Sequence, residues 1–419
     1  MKWGFNHAGA PDGLPPAQRP LLALVPSAFL PALVYEIGNG AIAPIIVLTA
    51  LRLEADPGTA ALMLALLGVG RVLGDVPAST LANRVGDRRS MIISAGLALV
   101  AFFACMVATS LLVLGVALIA VGMSNAAFYL ARHSYLIEVA PPRLRARVMS
   151  SLAGAHRIGL FIGPLAGAGM IALMGLRGGY VVAMAAAAVT ALLLVFVPDV
   201  DAPDNQPIST RGGVGSFRML VNNRRLFATL GLAILGAGAV RSARQAVLPL
   251  WGEHLGLGPG TISLIFGIAG AVDMALFYPA GKIMDEYGRL AVVLPAMVIL
   301  GGSMMTLPLT VGIVSLTIVA ITMSLGNGIG SGIMMTLGAD AAPLNNRVRF
   351  LGIWRLVSDS GNAAGPVVVS VIATVWTLAA GIVAIGSAGL FAAVAFAVWV
   401  PRYSAFATPK TARVRRNEP

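Results

Sequence analysis

An all-α membrane protein, with twelve transmembrane helices in two pseudo-symmetric six-helix bundles, is the fold this sequence predicts, and three observations carry the prediction. Hydrophobic residues make up 58% of the 419-residue chain and charged residues only 11%, against about 25% charged in soluble domains. Apolar runs long enough for a helix to cross a ~30 Å hydrocarbon core recur along the whole length. A constant offset of 202 residues relates the first half of the chain to the second.

In chain order the apolar runs fall at 22–50, 58–82, 90–109, 111–139, 146–174 and 177–198, then at 224–252, 259–284, 290–310, 312–339, 348–375 and 377–400. LVLGVALIAVGMSNAAFYLA at 112–131 and VVAMAAAAVTALLLVFV at 181–197 show the pattern at its plainest. Each is close to the ~20 residues a crossing helix needs. Polar segments close the runs: STLANRVGDRR after the second, APPRLRARVMS after the fourth and GKIMDEYGR after the eighth. The first 20 residues are polar and proline-rich, without the charged start and apolar core of a cleavable signal peptide. The single cysteine, Cys105, lies in the third run, so disulfides have no part in the expected fold.

The net charge of +12 is distributed by side of the membrane. Twenty-one Lys and Arg residues lie on segments that share a side with both termini, and only Arg52 and Arg177 lie on the other. By the positive-inside rule both termini are expected in the cytoplasm of a multi-pass cell-membrane protein. The basic tail at 401–419 then anchors beside anionic lipid rather than binding nucleic acid.

The offset is read most directly from two prolines. GLFIGPLAGAG at 159–169 and GNAAGP at 361–366 share a GxxxGP core, and Pro164 and Pro366 lie 366 − 164 = 202 residues apart. The same offset relates Gly68 to Gly270, Pro77 to Pro279, Gly86 to Gly288, Asn125 to Asn327 and Arg145 to Arg347. The chain therefore divides into an N-terminal half at 1–198, a polar cytoplasmic linker at 199–222, a C-terminal half at 223–400 and the tail. With an even number of spans, both halves enter the membrane in the same sense, which places a pseudo-twofold axis along the membrane normal and a site between the halves.

These motifs resemble the major facilitator superfamily, over essentially the whole chain. GKIMDEYGR matches that family's Gly-x-x-x-Asp-x-x-Gly-Arg loop through Gly281, Asp285, Gly288 and Arg289. The first-half copy carries Ser79 and Asn83 in place of the Gly and Asp, and keeps Gly86, Arg88 and Arg89. APPRLRARVMS looks like the superfamily's PP-x-x-R-x-R pattern. Gly159, Gly163, Pro164 and Gly167 match the family's antiporter motif, with Ala168 replacing one glycine. The resemblance implies a secondary exporter similar to the drug/proton antiporters. Where those antiporters carry an Arg in span four, this chain has Leu118, and Arg132 lies nearer the cytoplasm on the same span.

Ionisable residues inside the spans single out candidate sites, because an Arg, Lys or Asp at a span's centre costs ~2.5 to 3.5 kcal/mol unless paired or wetted. Under the offset Arg71 maps onto Asp273 and Arg157 onto Asp359. The family fold implies that spans two and eleven, and spans five and eight, pack across the halves, so Arg71 is expected to meet Asp359, and Arg157 to meet Asp273. Asp75 and Arg355, one turn nearer the cytoplasm, make a second rung. These pairs are either locks that form in one transport state or permanent pairs that hold the halves together. Glu36, Arg132, Arg241 and Arg244 remain for the central cavity, on spans one, four and seven. Glu36 is the acid among them, a candidate either for proton coupling or for a salt bridge to Arg241 that closes the outer gate. His133 and His156, on other faces than Arg132 and Arg157, are expected to be structural. The three arginines make the cavity positive, suiting an anionic or zwitterionic substrate or bracing the helices. Gly326, Gly328, Gly330 and Gly332 suit span ten to close packing or bending.

The expected function is a secondary active transporter that exports a small organic molecule by alternating access, as a proton-coupled antiporter working as a monomer. The other reading is an uptake symporter or exchanger for an organic anion. The spans contain no nucleophile, base and orienting-acid set, so the chain is not expected to be an enzyme. No G-x-x-x-x-G-K-[ST] loop for a nucleotide-driven pump occurs. No metal or other cofactor is expected.

Overall fold

The structure, a computed structural model, describes residues 24–140, 144–197, 219, 221, 223–343 and 347–409, without the side chains at 145–147 and 347–349. The expected linker (except 219 and 221), Pro141 with its neighbours, and the tail from 410 lie outside the described residues. Among the described residues all regular structure is helical, and twelve helices are long and apolar enough to cross a membrane. The first six spans are Val25–Arg52, Pro57–Val85, Asp87–Met106, Leu111–Val139, Val148–Met174 and Arg177–Phe196. The second six are Arg224–His254, Pro259–Tyr287, Leu290–Leu309, Ile313–Ala341, Phe350–Val375 and Leu378–Tyr403. Span twelve thus runs past residue 400, where the tail was expected to begin.

The duplication extends to local irregularities. Spans one and seven carry five-residue π turns near their starts, Val25–Phe29 and Phe227–Gly231, which are equivalent under the offset. Spans two and eight both stop at a glycine in the left-handed region, Gly86 at φ +87° and Gly288 at φ +88°, a conformation that glycine adopts without a Cβ penalty. The helix starts differ. Asp56 caps span two by accepting from the backbone N–H groups of Gly58 and Thr59 at 2.9 and 3.1 Å, whereas the equivalent Gly258 offers span eight no side-chain cap.

Span ten departs from its partner. Span four is one helix, Leu111–Val139, but span ten breaks between Ile313–Ile329 and Ile333–Ala341, with Gly332 at φ +76°. Phe128, Tyr129 and Leu130 of span four become Gly330, Ser331 and Gly332 in span ten. Bulky residues that stay in the helix are replaced by ones that leave it readily.

Within the first half, span one packs on five and six, span two on four, and span three on four and six. The equivalent pairs pack in the second half: seven on eleven and twelve, eight on ten, nine on ten and twelve. Large apolar side chains on the outer spans, among them Val100, Leu192 and Phe391, are exposed, as lipid-facing positions are. Across the halves span two meets eleven, span five meets eight and span one meets seven. At the end of the bundle away from the termini this contact is close. A Cβ on Gly58 would lie 2.7 Å from the Ser370 carbonyl oxygen, and one on Gly260 would lie 3.7 Å from Ile171.

Candidate functional site

The glycines of 159–169 explain how the site is assembled. A Cβ on Gly159 would lie 2.5 Å from the Cβ of Glu36, and one on Gly163 would lie 2.4 Å from the Ile37 carbonyl oxygen. A larger residue at either place would push span five off span one. The glycine face therefore packs within the first half; toward span eight, the same helix presents Phe161 and Leu165, against Gly270 and Gly267. Gly361 and Gly365 repeat the arrangement, facing Leu235 and Ala239 of span seven. Gly167 is in looser contact with Ala41.

This close approach sets His156 on Glu36. The Glu36 carboxylate is fully buried. Its Oε1 lies 2.9 Å from His156 Nδ1 and 3.3 Å from Arg132 Nη1, while its Oε2 accepts from the Tyr129 hydroxyl at 3.1 Å. A relay of side chains converges on it. Tyr35 donates to Asn125, Asn125 to Asn39, Asn39 to Tyr129 and Tyr129 to Glu36, at 2.8, 3.1, 3.3 and 3.1 Å. Each donor points toward the carboxylate, the order an ionised acceptor imposes. The Arg132 guanidinium also sits 4.8 Å from the Tyr129 ring centroid.

A second network lies in the other half. Arg241 donates to Asn327 Oδ1 and to the Gly330 carbonyl, both at 2.9 Å, so it grips span ten where that helix breaks. Asn327 donates to Asp273 at 2.9 Å. Arg157 crosses from the first half to Asp273 Oδ2 at 3.3 Å, hydrogen-bonds the Ser331 hydroxyl and lies 4.6 Å from the Phe277 ring centroid. Arg244 donates to Ser324 at 2.6 Å. The offset relates the hubs of the two networks, Asn125 to Asn327, and their span-one and span-seven partners, Asn39 to Arg241.

Between the halves lies a cavity of about 150 Å³, whose polar lining is Glu36, Asn39, Arg71, Tyr129, His156 and Gln245. Ile42, Ile46, Leu64 and Leu67 are among its apolar walls. Arg71 faces this space, with its guanidinium 5.8 Å from the Tyr129 ring centroid.

Several expected contacts are corrected. Glu36 does not meet Arg241: Arg132 and His156 of its own half hold it, and Arg241 is bound to span ten. His156, expected to be structural, is a cavity-lining partner of the Glu36 carboxylate. Arg71 forms no ion pair with Asp359, which lies 3.5 Å from Arg355 on its own helix. Nor do Asp75 and Arg355 make a rung. Asp75 lies near enough to both Arg355 and Asp359 to feel their charges, but forms no ion pair with Arg355. Asn39, Tyr129, Ser331 and Gln245 were missed as uncharged residues. The offset carried a signal for one of them, since Asn39 stands at the position of Arg241.

The loop motif forms a separate cluster at the end of the bundle that bears the termini. Arg289 Nε lies 3.0 Å from Asp340 Oδ2, its Nη1 lies 3.6 Å from Asp285, and its backbone N–H donates to the Phe406 carbonyl. A Cβ on Gly288 would strike the Ala407 carbonyl oxygen at 2.7 Å. Gly281 has open space around it. In the first-half copy Arg88 donates instead to carbonyls of Leu194 and Val197. Among the described residues no group of three or more His, Cys, Asp or Glu side chains gathers as a metal site needs.

Known proteins share this architecture. A solved POT family transporter in complex with 5-aminolevulinic acid superposes with a TM-score of 0.72 at 12% identity, over 92% of this chain and 96% of that one. A D-xylose-proton symporter gives 0.68 at 16% identity, over 93% and 98% of the two chains. A bacterial homolog of the human lysosomal transporter Spinster, solved inward-facing and unoccupied, gives 0.65 at 14% identity, over 96% and 99%. At these identities the likeness is one of fold. In sequence, the multidrug resistance protein MdtH of Edwardsiella ictaluri (strain 93-146) is 27% identical over 327 residues, 76% of this chain and 79% of that protein. The family model of the Major Facilitator Superfamily matches residues 28–366. Duplicated six-helix halves, a polar cavity between them and a family match across both halves lead to one conclusion: this chain is a transporter of the major facilitator superfamily.

Proposed function

We propose that the chain is a secondary active transporter that exports a small organic molecule across the cell membrane by alternating access, in exchange for protons. The observation that carries the reading is the Glu36 carboxylate, buried at the wall of the cavity between the halves with Arg132 and His156 on one oxygen and Tyr129 on the other. While ionised it draws spans four and five onto span one. A proton taken up by Glu36 cancels that attraction, so protonation and the packing of three cavity helices are linked. The Arg157 to Asp273 pair is the lock of this conformation, in which the halves are closed at the end away from the termini.

In this reading both termini are cytoplasmic, following the positive-inside count, and the closed end faces outward. The halves at 1–198 and 223–400 rock about the linker at 199–222, and the monomer is the working unit. Export is favoured by the antiporter glycines and by the likeness to a protein named for multidrug resistance. A second reading, uptake or exchange of an organic anion, is favoured by Leu118, which stands where antiporters carry an arginine, and by the cation Arg71 at the cavity wall.

The test is transport by purified protein in proteoliposomes, using each compound that raises its unfolding temperature in a ligand screen. Glu36→Gln should abolish transport driven by a pH gradient while sparing solute counterflow. Gradient-driven transport at the wild-type rate in that variant removes Glu36 from the coupling role. Accumulation in inside-out vesicles when the lumen is acidified supports export, and accumulation only in right-side-out vesicles supports uptake.

A further inference from the structure

We propose that Arg71 is the anchor for an acidic group on the transported molecule, so that the substrate is an organic anion with an apolar body. The inference rests on reading the cavity as the transport site and is independent of direction. Three facts combine. Arg71 lines the cavity. The acids at its depth are engaged elsewhere: Glu36 with Arg132 and His156, Asp273 with Arg157 and Asn327, Asp359 with Arg355. Asp75, one turn along the same span, forms no ion pair with Arg71. What Arg71 has is the face of Tyr129, which leaves the donor edge of the guanidinium for another partner.

The Arg71 side chain is exposed, so its guanidinium can be reached, and a carboxylate or phosphonate oxygen pair matches its fork in a bidentate contact. The rest of the cavity accommodates such a molecule. Gln245, from the second half, and Asn39 offer amide donors around the same space, and Ile42, Ile46, Leu64 and Leu67 receive an apolar portion. A ligand held by Arg71 on span two and Gln245 on span seven touches both halves, so its binding bears on their relative position. Arg241 and Arg244, by contrast, are committed to span ten through Asn327, Gly330 and Ser324. They brace that helix, and Arg71 is the cation that meets the ligand.

The experiment is thermal unfolding of the purified full-length protein in detergent, at fixed ionic strength and pH, with four one-ring probes: benzoate, phenylphosphonate, benzamide and benzylammonium. The two acids should raise the unfolding midpoint, and the amide and the amine should not. In Arg71→Gln the apparent affinity for benzoate should fall by at least about tenfold, the usual scale for removing one charge-assisted contact. Arg71→Lys should retain part of the response, and Arg177→Gln, away from the cavity, should respond as wild type. Equal stabilisation by benzamide or benzylammonium, no stabilisation by either acid, or an unchanged benzoate response in Arg71→Gln overturns the proposal. Should Arg71→Gln not fold, the four-probe comparison on the wild type and the Arg71→Lys response still decide. Binding is read without a gradient, so failure here leaves the transport reading standing, and failure of transport in proteoliposomes leaves the binding result standing.

Discussion

The two interfaces between the halves are equivalent under the duplication and yet differ in their chemistry. Where spans five and eight meet, Arg157 reaches Asp273, Ser331 and the ring of Phe277. The offset converts this group into Asp359, Arg71, Tyr129 and Asp75 at spans two and eleven. There no ion pair crosses: Arg71 lies against Tyr129, and Asp359 turns to Arg355. Two charged residues, Asp75 and Arg355, explain the difference. Phe277 gives Arg157 an aromatic face, whereas its counterpart Asp75 puts a second acid beside Asp359, and Arg355 offers an i, i+4 cation that relieves the repulsion. Duplication therefore preserves geometry while two differences, Asp75 for Phe277 and Arg355 for Ala153, redirect a charge, and the redirected charge, Arg71, faces the cavity.

The largest expected effect lies in the interface of spans five and eight. The side chains of Arg157 and Asp273 are 16% and 17% exposed. For this half-buried pair Asp273→Asn should cost more than the ~1 kcal/mol of an exposed pair and less than the about 3–5 kcal/mol of stranding one member of a fully buried one. Arg355 and Asp359 are 57% and 50% exposed, and Asp359→Asn should cost less than about 1 kcal/mol. Equal losses in thermal unfolding would erase the distinction between the interfaces. The swap of Arg157→Asp with Asp273→Arg should recover part of the single-variant losses, and the swap of Arg71→Asp with Asp359→Arg should recover nothing.

An intermediate effect separates two levels of the span-five face that packs on span one. A Cβ on Gly163 would lie 2.4 Å from the Ile37 carbonyl oxygen, while one on Gly167 would meet Ala41 at an ordinary 3.4 Å. Gly163→Ala should therefore cost about 1–3 kcal/mol as spans one and five are forced apart. Gly167→Ala should be nearly neutral. Unfolding midpoints of the two variants check this, and similar midpoints would mean that span one yields to span five.

The smallest effect concerns the starts of spans two and eight. Asp56→Ala should cost about 1 kcal/mol, and Gly258→Asp should gain a few tenths, because a cap is removed in one and supplied in the other. The hydroxyl of Thr59, the largest influence, together with its backbone N–H and that of Gly58, holds the Asp56 carboxyl below its ordinary range against the opposing effect of burial. Its contribution is therefore complete above an unfolded value of about 3.9 and fades as pH falls through the lower folded value. A pH titration of stability in which wild type and Asp56→Ala converge on acidification would confirm the sign.

Much of this was legible before the structure. The spans, their order and the offset came from hydropathy and spacing, and small residues at 159–169 are of the kind that lets a neighbouring helix come close. Which helix approaches was not legible: those glycines belong to the contact of span five with span one, and the face toward span eight carries Phe161 and Leu165. His156 and Arg157 are neighbours in sequence and serve different partners, Glu36 and Asp273, because adjacent positions on a helix diverge by about 100°. Asn39 and Tyr129 escaped notice because an uncharged side chain in a span carries little insertion cost to flag it.

The sequence by itself determined the depth of each charge and the existence of two equivalent halves, since the bilayer acts along one axis and residue spacing measures that axis directly. The tertiary structure decided which charges meet. Pairing depends on the rotation of each helix, on its lateral neighbours and on competing partners such as Arg355 for Asp359. None of these is a function of distance along the chain, and so Glu36 came to rest on Arg132 and His156 rather than on Arg241.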